Sequence, residues 1–191
     1  MKRLPVYILA GGRSSRFGSD KARAILNDQP LLGHVASMLQ PVASSVTVVA
    51  DREGKYDDLG FRTIADRQPG LGPLGGLDAA LHDLPTSSSW LLLCCCDAMI
   101  IRSAWLDQLI AAPNDGCNAV AFRGEHWQPM PALYAASARP KASTLLAGGN
   151  RSMQRLLDQL TTTPQPLPPD WPDHWQINTR HDLKRHFSHD G

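Results

Sequence analysis

Leu9-Ala10-Gly11-Gly12-Arg13-Ser14-Ser15-Arg16-Phe17-Gly18-Ser19-Asp20-Lys21 decides the fold, because it follows directly on the apolar run Val6-Tyr7-Ile8. A short apolar run that ends abruptly in paired glycines reads as a buried strand of a parallel sheet feeding a loop at its carboxyl end. Open α/β sheets bind their ligands at that end. Glycines let the backbone approach a polyanion with its N–H groups turned inward, and Arg16 and Lys21 bring positive charge to bear on phosphoryl oxygens. The stretch is expected to trap an anion; the alternative is an ordinary glycine turn with two solvated bases.

Two familiar phosphate loops fail on spacing. A Walker loop needs Gly-Lys followed by Ser or Thr, but Ser19 and Asp20 separate Gly18 from Lys21, and Ala22 follows the lysine. A dinucleotide fingerprint needs Gly-x-Gly-x-x-Gly, which Gly11-Gly12 does not supply.

Outward from the loop, strand and helix patterns alternate. Residues 30–39 carry Leu31, Leu32, Val35, Met38 and Leu39 at helical spacing, and residues 46–50 and 62–65 read as strands that stop at Asp51 and Asp66. A glycine loop around Pro73 leads into Leu77, Ala80, Leu81 and Leu84 on one helical face, and residues 90–96 form the most apolar strand, ending at Asp97. Residues 105–110 look helical, while 119–123 and 131–135 look extended. The prolines Pro129 and Pro131 suit Gln128 to Tyr134 to an edge strand. Pro164, Pro166, Pro168, Pro169 and Pro172 predict a stiff surface connector without regular structure over about 164–173, followed by a short strand at 176–178 and a closing helix at 182–187. The fold class is α/β, with a mostly parallel central sheet covered on both faces to make three layers. A length of 191 residues suits one domain spanning 1–191.

A formal net charge of +1, with 19% charged residues, provides no field of one sign for nucleic acid or an anionic membrane surface. The N-terminal apolar run is too short for a secretory core, and nothing else approaches a membrane span. Cys94, Cys95 and Cys96 are consecutive, and with Cys117 they offer neither a disulfide framework nor zinc spacing. Small buried residues at a strand end are expected rather than a nucleophile, and a reduced, cytoplasmic setting fits. His34, His126, His174 and the C-terminal histidines lack ligand spacing and read as surface or helix residues.

The stretch LAGGRSSRFGSDKA resembles the signature of the MobA-like nucleotidyltransferases, most closely the molybdenum cofactor guanylyltransferases among them. Asp66 ahead of Gly72-Pro73-Leu74-Gly75-Gly76-Leu77, Cys96-Asp97 after an apolar strand, residues 128–134 and Ile177-Asn178-Thr179 follow in the family's order. The resemblance implies a Rossmann-like nucleotidyltransferase fold, that of the nucleotide-diphospho-sugar transferases. It implies GTP and molybdenum-molybdopterin as substrates, Mg2+ as cofactor, and molybdoenzymes or their chaperones as recipients of the product. By the same resemblance Leu9, Ala10, Gly11, Gly12 and Lys21 hold the nucleotide, Asp66 contacts the guanosine portion, Asp97 binds the magnesium, and Asn178 lies near metal and phosphates. Read from residues alone, an Asx-turn before Gln68-Pro69 is the alternative for Asp66, and a strand-end cap the lesser alternative for Asp97.

The implied reaction needs no protein nucleophile, since the acceptor phosphate attacks the α-phosphorus; Arg16, Lys21 and Asp97 act by positioning and charge neutralisation. Gly11-Gly12 favours guanylyl over cytidylyl relatives, whose loop more often reads Ala-Ala-Gly. A cytidylyltransferase, a sugar-phosphate nucleotidyltransferase and a non-catalytic cofactor-delivery subunit are the alternatives. Two departures bear on the site. Relatives place a proline two residues after the aspartate matching Asp97, where this chain reads Ala98-Met99-Ile100-Ile101, which is expected to loosen the backbone on the acceptor side. After the second strand the family often carries asparagine, where this chain has Asp51.

Overall fold

The computed structural model describes residues 3–10, 20–68 and 70–172. Among these, the sheet has the strands β1 (Leu4–Leu9), β4 (Ala43–Ala50), β5 (Arg62–Ala65), β6 (Trp90–Cys95), β7 (Ala119–Arg123), β8 (Trp127–Ala135) and β9 (Thr162–Pro166) in the order β5-β4-β1-β6-β8-β7-β9. A separate hairpin pairs β2 (Ile25–Leu26) with β3 (Gln29–Pro30). The sheet is parallel except at β8, which runs against both β6 and β7.

Every residue of β1 is buried, and β6 is buried from Leu91 onward, as strands covered on both faces must be. The covering follows from handedness. The chain moves from β1 to β4 in one direction through α1 (Leu31–Leu39), and from β5 back past β4 and β1 to β6 through α2 (Gly72–Asp83). Right-handed crossovers running in opposite directions put their helices on opposite faces, which gives the expected layers. Leu31, Leu32, Val35 and Leu39 of α1 and Leu74, Leu77, Ala80 and Leu81 of α2 are buried against the sheet and its neighbours. Pro73 sits in the first turn of α2, where its missing N–H is not needed.

Register fixes where the strands end. Leu9 is level with Val49 and with Cys95, and Ala50 with Ala65. The ladder runs one step further through Ala10 N–H to the Val49 carbonyl (2.9 Å), Asp66 N–H to Ala50 (2.7 Å) and Cys96 N–H to Leu9 (3.0 Å). Ala10, Asp51, Asp66 and Asp97 therefore leave the sheet at one edge. The chain steps from β1 to opposite sides to reach β4 and β6, so the topological switch point lies beside β1 at that edge.

Two expectations are corrected. Gln128 to Tyr134 is not an edge strand: β8 lies between β6 and β7. Its prolines are tolerated because pairing with β6 ends at Leu93 and Ala132, while the register with β7 jumps from Ala121–Ala132 to Phe122–Gln128, leaving residues 129–131 outside the ladder. The Tyr134 hydroxyl donates to the Pro129 carbonyl at 3.0 Å and holds that bulge. The proline-rich segment, in turn, starts as a strand. Pro164 and Pro166 belong to β9, an edge strand, and their spacing of two turns both missing N–H groups to the same side, away from β7. Further on, Trp171 is no bare connector; its ring packs on Trp105 (4.8 Å) and Phe122 (5.3 Å). Residues 136–160 carry no strong periodic pattern in the sequence. They form α4 (Arg139–Ala147) and α5 (Met153–Gln159), and α5 is capped by the Ser152 hydroxyl accepting from Arg155 N–H. α3 (Ser103–Ala111) matches the expected helix. The segments expected over 176–178 and 182–187 lie outside the described residues.

Candidate active site at the carboxyl edge of the sheet

Lys21 and Asp97 meet although 76 positions separate them, with Lys21 Nζ 2.8 Å from Asp97 Oδ2. Each is placed by local structure. Asp97 follows directly on β6 and Cys96, whose backbone N–H still bonds β1. Lys21 begins a short 3-10 turn, Lys21–Arg23, whose N-cap is Asp20; the Asp20 carboxylate accepts from Ala22 N–H at 3.1 Å. The side chains are 13% and 19% exposed, enough screening from water for their charges to act strongly on a third charged group brought beside them.

Asp66 differs. Its backbone N–H is the last rung between β5 and β4, but among the described residues no group forms a hydrogen bond or ion pair with its carboxylate. Burial, and then the like charge of Asp51, push it up to about 6. A half-buried carboxylate with no donor among the described residues can accept one from a ligand. Gly76 of α2 makes room beside it: a Cβ there would lie 2.8 Å from the Leu9 side chain and 3.6 Å from Asp66 Oδ1. The helix start thus closes on β1 and Asp66 only because that residue is glycine.

A third group was not singled out from the sequence. Asp20 is held by Tyr56, whose hydroxyl lies 3.0 Å from both carboxylate oxygens, and by Lys55 Nζ at 3.4 Å. Arg23 binds Asp58 through both terminal nitrogens (2.6 and 2.8 Å) and the Lys55 carbonyl (2.7 Å). The segment after β4 therefore grips the turn that carries Lys21. Asp20 stood in the motif beside Lys21, which was its signal. Tyr56 had none, since the contact joins distant parts of the chain.

Leu9 and Ala10 stand where expected, at the end of β1 and the first step beyond it. Gly11, Gly12, Arg16 and Asn178 lie outside the described residues. The stretch after Asp97 is fastened rather than loose: Ala98 and Ile101 are buried, and Ile101 N–H points to Met38 Sδ of α1 at 3.3 Å. Packing thus fixes the backbone there without a proline. Cys94, Cys95, Cys96 and Cys117 are buried free thiols, and burial pushes Cys96 up to about 12, so it stays a thiol. The His34 ring bonds the Leu26 carbonyl, and His82 bonds the Asp78 carbonyl at 2.8 Å, both structural roles.

Among the described residues no group of His, Cys, Asp or Glu side chains could by itself hold a metal, and no helix is long and apolar enough to cross a membrane. One carboxylate is nonetheless the protein share that Mg2+ takes when phosphate oxygens and water complete its shell, so Asp97 fits that ion as part of a metal–nucleotide complex.

Comparison with known proteins places the chain in a family. A family model described as MobA-like NTP transferase domain matches residues 6–163. A protein of Deinococcus radiodurans named probable molybdenum cofactor guanylyltransferase is 38% identical over 154 residues, covering 79% of this chain and 77% of that protein. The molybdenum cofactor guanylyltransferase of Vibrio cholerae is 36% identical over 159 residues, covering 82% and 77%. Among solved structures, molybdopterin-guanine dinucleotide biosynthesis protein A of Archaeoglobus fulgidus superposes with a TM-score of 0.80 over 95% of this chain and 96% of that one, at 24% identity, and so shares the fold.

Proposed function

The chain belongs to the MobA-like NTP transferase family and is a nucleotidyltransferase; from that premise we propose that it transfers GMP from MgGTP to the terminal phosphate of molybdenum-molybdopterin. The observation that carries the reading is the Lys21–Asp97 pair at the switch point of the sheet, with Asp66, which has no partner among the described residues, on the same edge. A lysine and a carboxylate so placed suit a triphosphate, and a half-buried acceptor suits the N–H groups of guanine, which would leave it unpaired with a base lacking them.

In the proposed reaction an oxygen of the acceptor's terminal phosphate attacks the α-phosphorus in line. A new P–O bond forms as the bond from the α-phosphorus to the β-phosphate bridge breaks, and pyrophosphate leaves with the electron pair. The acceptor brings its own oxyanion, so no protein nucleophile is required, and the thiols beside Asp97 stay protonated and out of the reaction. Lys21 neutralises charge on the phosphates in the transition state, and its turn holds it there beforehand. Asp97 is the residue that would hold Mg2+, which supplies further positive charge to the phosphate oxygens when bound. Arg16, Gly11 and Gly12 are assigned to the nucleotide on their chemistry in the loop sequence together with the family resemblance, and Asn178 on the resemblance alone. The reading carries with it a single catalytic domain and a cytoplasmic setting.

Pyrophosphate release, measured with each of the four ribonucleoside triphosphates in the presence of Mg2+ and molybdopterin, tests the assignment. GTP is expected to support turnover and CTP to fail; a preference for CTP would overturn the guanylyl reading while leaving the nucleotidyltransferase standing.

A further inference from the structure

Asp20 and Ala10 bracket positions 11–19 of the loop, and both lie within reach of one hydroxyl. Tyr56 Oη is 3.0 Å from each Asp20 carboxylate oxygen and 3.4 Å from the Ala10 carbonyl. The hydroxyl has a single proton, and the charged, closer carboxylate takes it. Tyr56 is itself fully buried, and its backbone N–H is fixed to the Thr63 hydroxyl of β5 at 3.2 Å. Around it, Lys55 joins Asp20 to Asp51 (3.4 and 2.7 Å), and the Arg23 guanidinium and the Lys55 ammonium lie 5.3 and 5.4 Å from the centre of the Tyr56 ring. No triphosphate chemistry explains gathering a buried tyrosine, a part-buried carboxylate and two cations behind Lys21.

We infer that Tyr56 is a positioning residue for the nucleotide: through Asp20 it sets the turn that aims Lys21 at Asp97. The inference rests on the proposed nucleotide site and adds to it a residue that touches no substrate. The chain of contacts is continuous. Tyr56 holds the Asp20 carboxylate, the same carboxylate caps Ala22 N–H, and the capped turn begins with Lys21, 2.8 Å from Asp97. Without the hydroxyl, Asp20 keeps Lys55 and Arg23 as charge partners and Ala22 N–H as a backbone donor, but loses the buried side-chain donor that ties it to the segment after β4. Lys21 then samples more orientations before nucleotide arrives, and binding must supply the ordering that the fold now provides.

Tyr56→Phe removes only the oxygen, and Asp20→Asn removes the charge it holds. The test measures MgGTP affinity by titration, KM for MgGTP and for the molybdopterin acceptor, and thermal unfolding, in the parent, both single variants and the double variant. Each single variant is expected to bind MgGTP about tenfold more weakly, the value of a hydrogen bond to a charged group. The KM for the acceptor should stay within about twofold of the parent, and the double variant within about twofold of the weaker single variant, because both changes break one linkage. Losses that multiply in the double variant, KM values that rise together for both substrates, or unchanged MgGTP affinity in Tyr56→Phe would overturn the inference. If Tyr56→Phe does not fold, Asp20→Asn alone decides through the same split between the two KM values. A parent protein that does not bind MgGTP overturns the functional reading and this role with it, whereas a parent that binds beside a Tyr56→Phe variant that binds equally overturns this role alone.

Discussion

The ends of β5 and β6 carry the same residue type at the same edge and treat it oppositely. Asp97, after β6, is met by Lys21 at 2.8 Å; Asp66, after β5, meets no donor among the described residues and is pushed up to about 6. Asp78 supplies the control. It is more deeply buried than either, yet Ser143 (2.6 Å) and Arg67 (3.2 Å) satisfy it, so this fold pairs a buried carboxylate where pairing serves packing. Under the proposed function the contrast gives each strand end its task. At β6 the protein brings its own cation, as suits a place where a metal–phosphate complex is held and charge changes during reaction. At β5 the partner is left for a ligand to bring, as suits a place that must tell one base from another. With β4 and β1 between them, the two ends are three interstrand steps apart, about 14 Å, a distance an extended nucleoside triphosphate can bridge.

The comparison breaks most visibly at Asp97. Asp97→Ala is expected to lower kcat by about a thousandfold, the scale of losing a preorganised charge contact in the transition state, while the far-ultraviolet circular dichroism stays that of the parent. Activity within tenfold of the parent would remove Asp97 from the reaction, and unchanged cofactor delivery without turnover would favour a binding subunit.

Changes at β5 are smaller and depend on pH. In the unfolded chain Asp66 titrates near its ordinary 3.8, in the folded protein near 6. The folded state therefore binds the proton more tightly, and the stability this gives is complete below 3.8 and lost as pH rises through about 6. Asp66→Asn removes a carboxylate that the fold tolerates poorly when charged. The variant is expected to be more stable than the parent at pH 8, by about 1 kcal/mol after allowance for solvent screening, and no more stable at pH 4. Its affinity for MgGTP should nonetheless be lower, and should lack the fall that the parent shows as pH drops through 6 and the acceptor is protonated. Denaturant unfolding and nucleotide titration at both pH values check this; a variant destabilised at pH 8, or one that binds MgGTP as the parent does, contradicts it. Smallest of all, Asp51→Asn takes away the like charge facing Asp66, so the acidic fall in affinity should move to lower pH with little change at pH 8.

Much of this edge was legible in the sequence because parallel strands announce their ends. Apolar runs stopping at Asp66 and Asp97, and a glycine pair stopping β1, are local signals, and equal strand register brings them together. What was not legible depended on contacts distant in sequence or on weak patterns. Helix α4 buries little besides Ala142 and Leu145, so its periodicity is faint. Prolines hid β9 and the length of β8, since only the finished sheet shows that one is an edge and that the other bulges where its prolines fall. Tyr56 looked like one aromatic in a charged stretch, and only its distance to Asp20 gives it a role.

The division of labour between the two strand ends is tested most directly by a crystal structure of the protein with Mg2+ and a non-hydrolysable GTP analogue. The metal should be on Asp97, the phosphates against Lys21, and the guanine or ribose edge donating to Asp66. A base that lies away from Asp66, or a metal bound without Asp97, would contradict it.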